Sequence, residues 1–206
     1  MRNLNRILPI AALALALAPC TLFAADLEKG LAAFDVGDYE TSLAECQPLA
    51  DEGVASAQFC VGRLYANGFG VPMDDAQALH WYGAAADQGH PEAQYNLGVM
   101  HANGWGVEMN DNAAADFYRA AAKQGYVPAV LSLAEICHRG MGVKEDIVDA
   151  YAWYIVAAQL GHMDAELRQN AAAQELSPEE LESGQQMAKE RLAAIDVESM
   201  RVKLIE

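Results

Sequence analysis

The sequence predicts an all-α protein, an α/α superhelical solenoid built from stacked helical hairpins. Three observations lead there. A 36-residue period relates residues 55–90, 91–126 and 127–162 without a gap. Apolar residues within each block recur at helical spacing. Glycines and helix-capping residues punctuate every block at matching places. Periods of this size belong to repeats that bury their apolar faces on their neighbours.

The chain has 206 residues, 53% of them hydrophobic, with 29 acidic and 13 basic side chains. That length fits one domain, and the apolar content allows a sizeable core. A net charge of −16 argues against nucleic-acid binding, which needs clustered Lys and Arg to meet phosphates. It argues equally against charge-driven docking on an anionic membrane.

Residues 1–25 read as an address. Arg2 and Arg6 precede an apolar run from Ile7 to Ala18, small residues follow, and the first acid is Asp26. This order matches a secretory signal peptide, with cleavage expected near Ala24–Ala25, and the run is short for a membrane span. Leu17-Ala18-Pro19-Cys20 also resembles a bacterial lipoprotein processing box, but Pro19 stands where that box takes a small residue. Export to the periplasm, an oxidising compartment, is therefore expected, with lipid anchoring through Cys20 the lesser alternative.

Residues 26–54 form a lead-in unit. Gly37-Asp38-Tyr39 makes a tight turn, and Ser42, Cys46, Leu49 and Ala50 face a core. In the first full block a helix over about Ser56 to Ala66 carries Phe59, Val61, Leu64 and Tyr65. Gly62, Gly98 and Ala134 share a position inside this helix across the blocks. Glycine costs a helix interior about 1 kcal/mol, so a small residue there predicts a closely crossing helix. Asn67-Gly68 and Asn103-Gly104 end the helix in a left-handed cap. After a Gly-x-Gly-Val loop, Asp74, Asn110 and Asp146 are placed to cap the second helix. That helix buries Ala78, Trp81, Tyr82, Ala85 and Ala86. Residues 163–206 supply capping helices: one within Asp164 to Glu175, and a last one from Ser177-Pro178-Glu179-Glu180 to about Met200. Terminal repeats need such covers because an unstacked face is apolar.

The stretches AQFCVGRLYANGFGVPMDDAQALHWYGAAADQG and AQYNLGVMHANGWGVEMNDNAAADFYRAAAKQG resemble the Sel1-like repeat, a subclass of the tetratricopeptide superfamily. The resemblance covers roughly Leu27 to Asp164. It implies a right-handed superhelix whose concave face holds a peptide or another protein, and bacterial members that act as adaptors or assembly factors. A few cysteine-rich relatives are linked to β-lactam binding or hydrolysis, which is the alternative function.

Catalytic signatures fail one by one. The chain holds no Ser-x-x-Lys and no His-Glu-x-x-His, so neither a penicillin-type nucleophile pair nor a helical zinc pair is present. Gly68-Phe69-Gly70 lacks the third glycine of a phosphate cradle. His101 and Cys137 replace Tyr65 in successive blocks, so they read as core fillers beside His138 rather than as metal ligands. No enzyme activity, cofactor or metal is expected. Cys46 and Cys60 lie symmetrically about Gly53 and could meet across a hairpin as a disulfide.

In tetratricopeptide-type superhelices the exposed side of each first helix lines the groove. Registration on Gly62 places Phe59, Tyr95 and Leu131 at one groove position, and Arg63, Val99 and Glu135 one turn later. Phe69, Trp105 and Met141, each between two glycines, make a second candidate contact edge unless they cover one another. The expected partner is an envelope protein or peptide held by a non-catalytic scaffold.

Overall fold

The computed structural model describes residues 18–195. Its helices are α1 (Ala18–Asp35), α2 (Tyr39–Asp51), α3 (Ala55–Asn67), α4 (Asp75–Asp87), α5 (Pro91–Asn103), α6 (Asp111–Ala122), α7 (Val127–Arg139), α8 (Ile147–Gln159), α9 (Ala165–Ala173) and α10 (Pro178–Ala194). There is no strand among the described residues. Most of the expected leader lies outside the described residues, as does the Cys20 side chain; the final helix, expected to run to about Met200, ends at Ala194, where Ile195 is extended.

The capping chemistry explains where each element stops. Gly68, Gly104 and Gly140 close the first helices with φ of 67°, 71° and 65°, a region that L side chains avoid. Asp74, Asn110 and Asp146 accept backbone N–H groups at the starts of α4, α6 and α8. One further hydrogen bond ties each loop shut. The N–H groups of Asp74, Asn110 and Asp146 donate to the carbonyls of Tyr65, His101 and Cys137 at 3.1, 2.9 and 2.9 Å. At α10 a capping box joins Ser177 and Glu180, with Pro178 at the first helical position.

Helices pack on their sequence neighbours from α1 to α9, and α10 folds back onto α8. The close crossing expected at Gly62 and Gly98 is present. A Cβ on Gly62 would stand 2.6 Å from the Tyr82 ring, and one on Gly98 would stand 2.5 Å from that of Tyr118. The aromatic rings therefore lie directly on first-helix backbone. Burial raises the phenols of both tyrosines, Tyr118 to about 12.

The fully buried side chains fall into three clusters, with half-buried Tyr65 packed against the first two. One buried cluster joins the lead-in unit to α3, a second joins α4 to α5, and a third runs from Ala114 to Ile195 through α6, α7, α8 and both terminal helices. Polar clasps cross the amino-terminal junctions. Gln88 Nε2 donates to the Gly53 carbonyl at 2.9 Å and to Gln58 Oε1 at 2.8 Å. One period on, Gln124 does the same to Gly89 and Gln94 at the same distances. The third block carries Val130 and Leu160 at those positions, and its junction is apolar.

Candidate functional site

The first-helix row is half-buried along its length. Phe59 packs 5.8 Å from Tyr82 and stacks 4.6 Å from His90, while Tyr95 sits 5.5 Å from Tyr118 and 5.4 Å from Tyr126. Each ring thus leans on the tyrosine of its own second helix and keeps one side accessible. Leu131 and Val99 border the carboxy-terminal cluster. Arg63 lays its guanidinium 3.8 Å over Phe34 and 5.6 Å from Phe59, a cation–π arrangement that brings the lead-in unit into the row. Glu135, read from the sequence as a groove residue, is engaged within the chain. Arg168 of α9 pairs with it, so α9 closes that end of the row over a small cavity of about 230 Å³ that also touches His138 and Tyr154.

The three loop residues are not equivalent. Phe69 is half-buried under Tyr39 and Phe34, whereas Trp105 is 50% and Met141 38% exposed. They do not stack on one another among the described rings.

Cys46 and Cys60 face each other across the α2–α3 hairpin. Their Sγ atoms lie 2.6 Å apart in a fully buried pocket, with Ser42 Oγ 3.3 Å from Cys60 Sγ. The hydrogen bond from Cys46 lowers the Cys60 thiol, and the same interaction with burial raises that of Cys46. Cys137 lies elsewhere, with its Sγ 3.2 Å from Asp149 Oδ2. Burial, reinforced by that carboxylate, pushes its thiol up to about 12, which makes it a poor nucleophile. His101 stacks 5.3 Å from Phe117, and His138 contacts Tyr154 and Glu175. His101, Cys137 and His138 therefore serve different neighbours.

A cleft at the carboxy-terminal end was not foreseen from the sequence. Helices α6, α8 and α10 enclose about 640 Å³, with Trp153 and Met187 at the apolar wall and Arg119, Lys123 and Arg191 around it. Arg191 stacks 4.0 Å from the Trp153 ring and pairs with Asp149. The pairing spans 42 residues and falls outside the 36-residue register, so no periodic pattern could have announced it.

Three comparisons bear on this geometry. The family model described as Sel1 repeat matches residues 55–90, 91–126 and 127–162, the same blocks that the period defines. Among solved structures, a Sel1 repeat protein from Oxalobacter formigenes superposes with a TM-score of 0.67 at 29% identity, covering 69% of this chain and 59% of that one. The c5321 protein, a protective antigen of uropathogenic Escherichia coli strains with an SLR fold, superposes at 0.54 with 23% identity, over 89% of this chain and 48% of that one. Cysteine rich protein B of Helicobacter pylori reaches 0.51 at 20% identity, over 61% and 92%. The chain thus spans about three-fifths of the first and about half of the second. The curated proteins gave no match.

Proposed function

Because the chain belongs to the Sel1 repeat family, whose repeats mediate protein–protein interaction, we propose that it is a non-catalytic scaffold acting in the periplasm. Its first-helix row would hold a segment of an envelope protein. The observation that carries this reading is the row of Phe59, Tyr95 and Leu131, half-buried at one register position in three successive repeats. Rings anchored on Tyr82 and Tyr118 are held in place before a partner arrives, which lowers the ordering cost of binding. Arg63 at one end and the Glu135–Arg168 pair at the other supply the polar rim that interfaces carry. The leader-like residues 1–25 support export.

The test is capture from periplasmic extract by the intact chain and by Phe59→Ala/Tyr95→Ala, with bound proteins identified by mass spectrometry. A defined protein retained by the parent and reduced about tenfold or more by the double variant is expected, since two aromatic anchors each contribute on the order of 1–2 kcal/mol. Undiminished capture by a double variant of unchanged helical content would refute the row.

The same compartment bears on Cys46 and Cys60. We propose that they form a disulfide after export, each thiol losing one proton and one electron to a disulfide oxidant of that compartment as the S–S bond forms. The short loop between them predicts a stabilisation of about 3 kcal/mol. Residues 26–206 contain Cys46, Cys60 and Cys137. Titration of the unreduced, denatured periplasmic protein should find one free thiol; finding three would exclude the bond.

A further inference from the structure

The loops that join the two helices of each repeat follow one another along the array, each resting on the start of a preceding second helix. Phe69, Trp105 and Met141 hold one position in these loops, and Met73 and Met109 hold another. In the first repeat the loop is covered from within. Tyr39 stacks on Phe69 with centroids 4.3 Å apart and 10° between the planes, and Phe34 approaches to 6.1 Å. The period puts Asp75 and Asp111 where Tyr39 stands. Backbone contacts bear out that equivalence: Gly70 rests on Tyr39, Gly106 on Asp75 and Gly142 on Asp111. The next two loops therefore have a carboxylate where the first has a ring.

The consequence is an uncovered stripe. Met73 is 68%, Trp105 50%, Met109 65% and Met141 38% exposed. The glycine contacts place each loop against the start of the preceding repeat's second helix. Gly106, beside Trp105, lies on Asp75, two residues from Met73, and Gly142, beside Met141, lies on Asp111, two residues from Met109. Single exposed apolar residues are ordinary, but a row of large ones marks a contact surface. Asp75, Glu108, Asp111 and Glu145 run beside the stripe, and Lys144 is the one cation in the three loops.

We infer that this edge docks a cationic protein segment in which aromatic or aliphatic side chains alternate with Lys or Arg. A ring of that segment covers the exposed face of Trp105, and its cations meet Asp75 and Asp111. The first repeat shows, inside the chain, that such a loop residue accepts an aromatic ring against it. Thioethers suit such a surface, because their flexibility lets them fit varied apolar side chains. Acidic flanks disfavour a second copy of this chain, which would bring like charges together.

The probe is a synthetic twelve-residue peptide of Phe-Lys-Ser repeats, titrated into the purified chain by calorimetry and by Trp fluorescence. Trp105 is more exposed than the buried Trp153 or the half-buried Trp81, so a fluorescence change should disappear in Trp105→Ser. Binding is expected to weaken with added salt, to fall about tenfold in Trp105→Ser/Met109→Ser, and to be unchanged in Phe59→Ala/Tyr95→Ala. A Phe-Glu-Ser peptide should not bind. Equal affinity of the loop variant, equal binding of the acidic peptide, or weakening by the Phe59/Tyr95 variant alone would each overturn the edge. So would sedimentation showing dimers that the loop variant abolishes, since the stripe would then be covered by a second copy. Loss of the first-helix row with the edge intact would leave this inference standing.

Discussion

Replacing Gly142 with Ala should lower stability by about 2–4 kcal/mol, read as a fall in Tm of roughly 5–15 °C. Two costs coincide there. The residue has φ of +64°, which charges any L side chain about 1–2 kcal/mol. The added Cβ would also stand 2.5 Å from the backbone nitrogen of Asn112, and backbone at a helix start cannot rotate aside as a side chain can. Gly89→Ala is the matched control, because its φ is +88° with nothing within 4 Å of the new atom. It should show the conformational cost alone. If the two variants melted together, the loop would not be resting on the preceding repeat, and the register that places Asp111 under it would be wrong.

Gly98→Val should cost about 3 kcal/mol, the upper end of what overpacking a tight contact costs. The ring of Tyr118 occupies the space that a side chain at 98 would need. A double-mutant cycle isolates the effect. Tyr118→Ala alone should be strongly destabilising because it empties a buried site. The pair Gly98→Val/Tyr118→Ala should be less destabilised than the sum of the singles by about 1 kcal/mol or more, which is the range for residues in direct contact. Additive losses, measured by denaturant unfolding, would mean that Tyr118 does not seat on α5. The third repeat carries Ala134 at the equivalent position, so the contact at Gly98 is the tighter of the two.

Much of the fold was legible because its determinants are local and periodic. Gly68, Asp74 and Ser177 each set a helix boundary through their own backbone or side chain, and the 36-residue register repeated those signals. The crossing at Gly62 could be read because a glycine inside a helix has a cost that only close packing offsets. The candidate surfaces were less legible. Phe69, Trp105 and Met141 hold equivalent places in sequence, yet Phe69 is covered by Tyr39 and Phe34, while the period puts Asp75 and Asp111 where Tyr39 stands. Nothing in the repeat pattern announced that α9 would bring Arg168 to Glu135. The cleft beside Trp153 depends on α10 folding back onto α8, a contact between elements that the period does not relate. Residues that repeat could be placed from the sequence; residues that meet once could not.

The glutamine clasps, present in the first two repeats and replaced by Val130 and Leu160 in the third, bear on how the protein would respond to load. Pulled by its two ends, the carboxy-terminal half, from Ala114 to Ile195, should resist as a single stiff block. The glutamine-clasped junctions nearer the amino terminus should open in succession, each reclosing when the tension is released. Such an object is lopsided, firm at one end and extensible at the other, and a tether fixed to either end would feel a different spring.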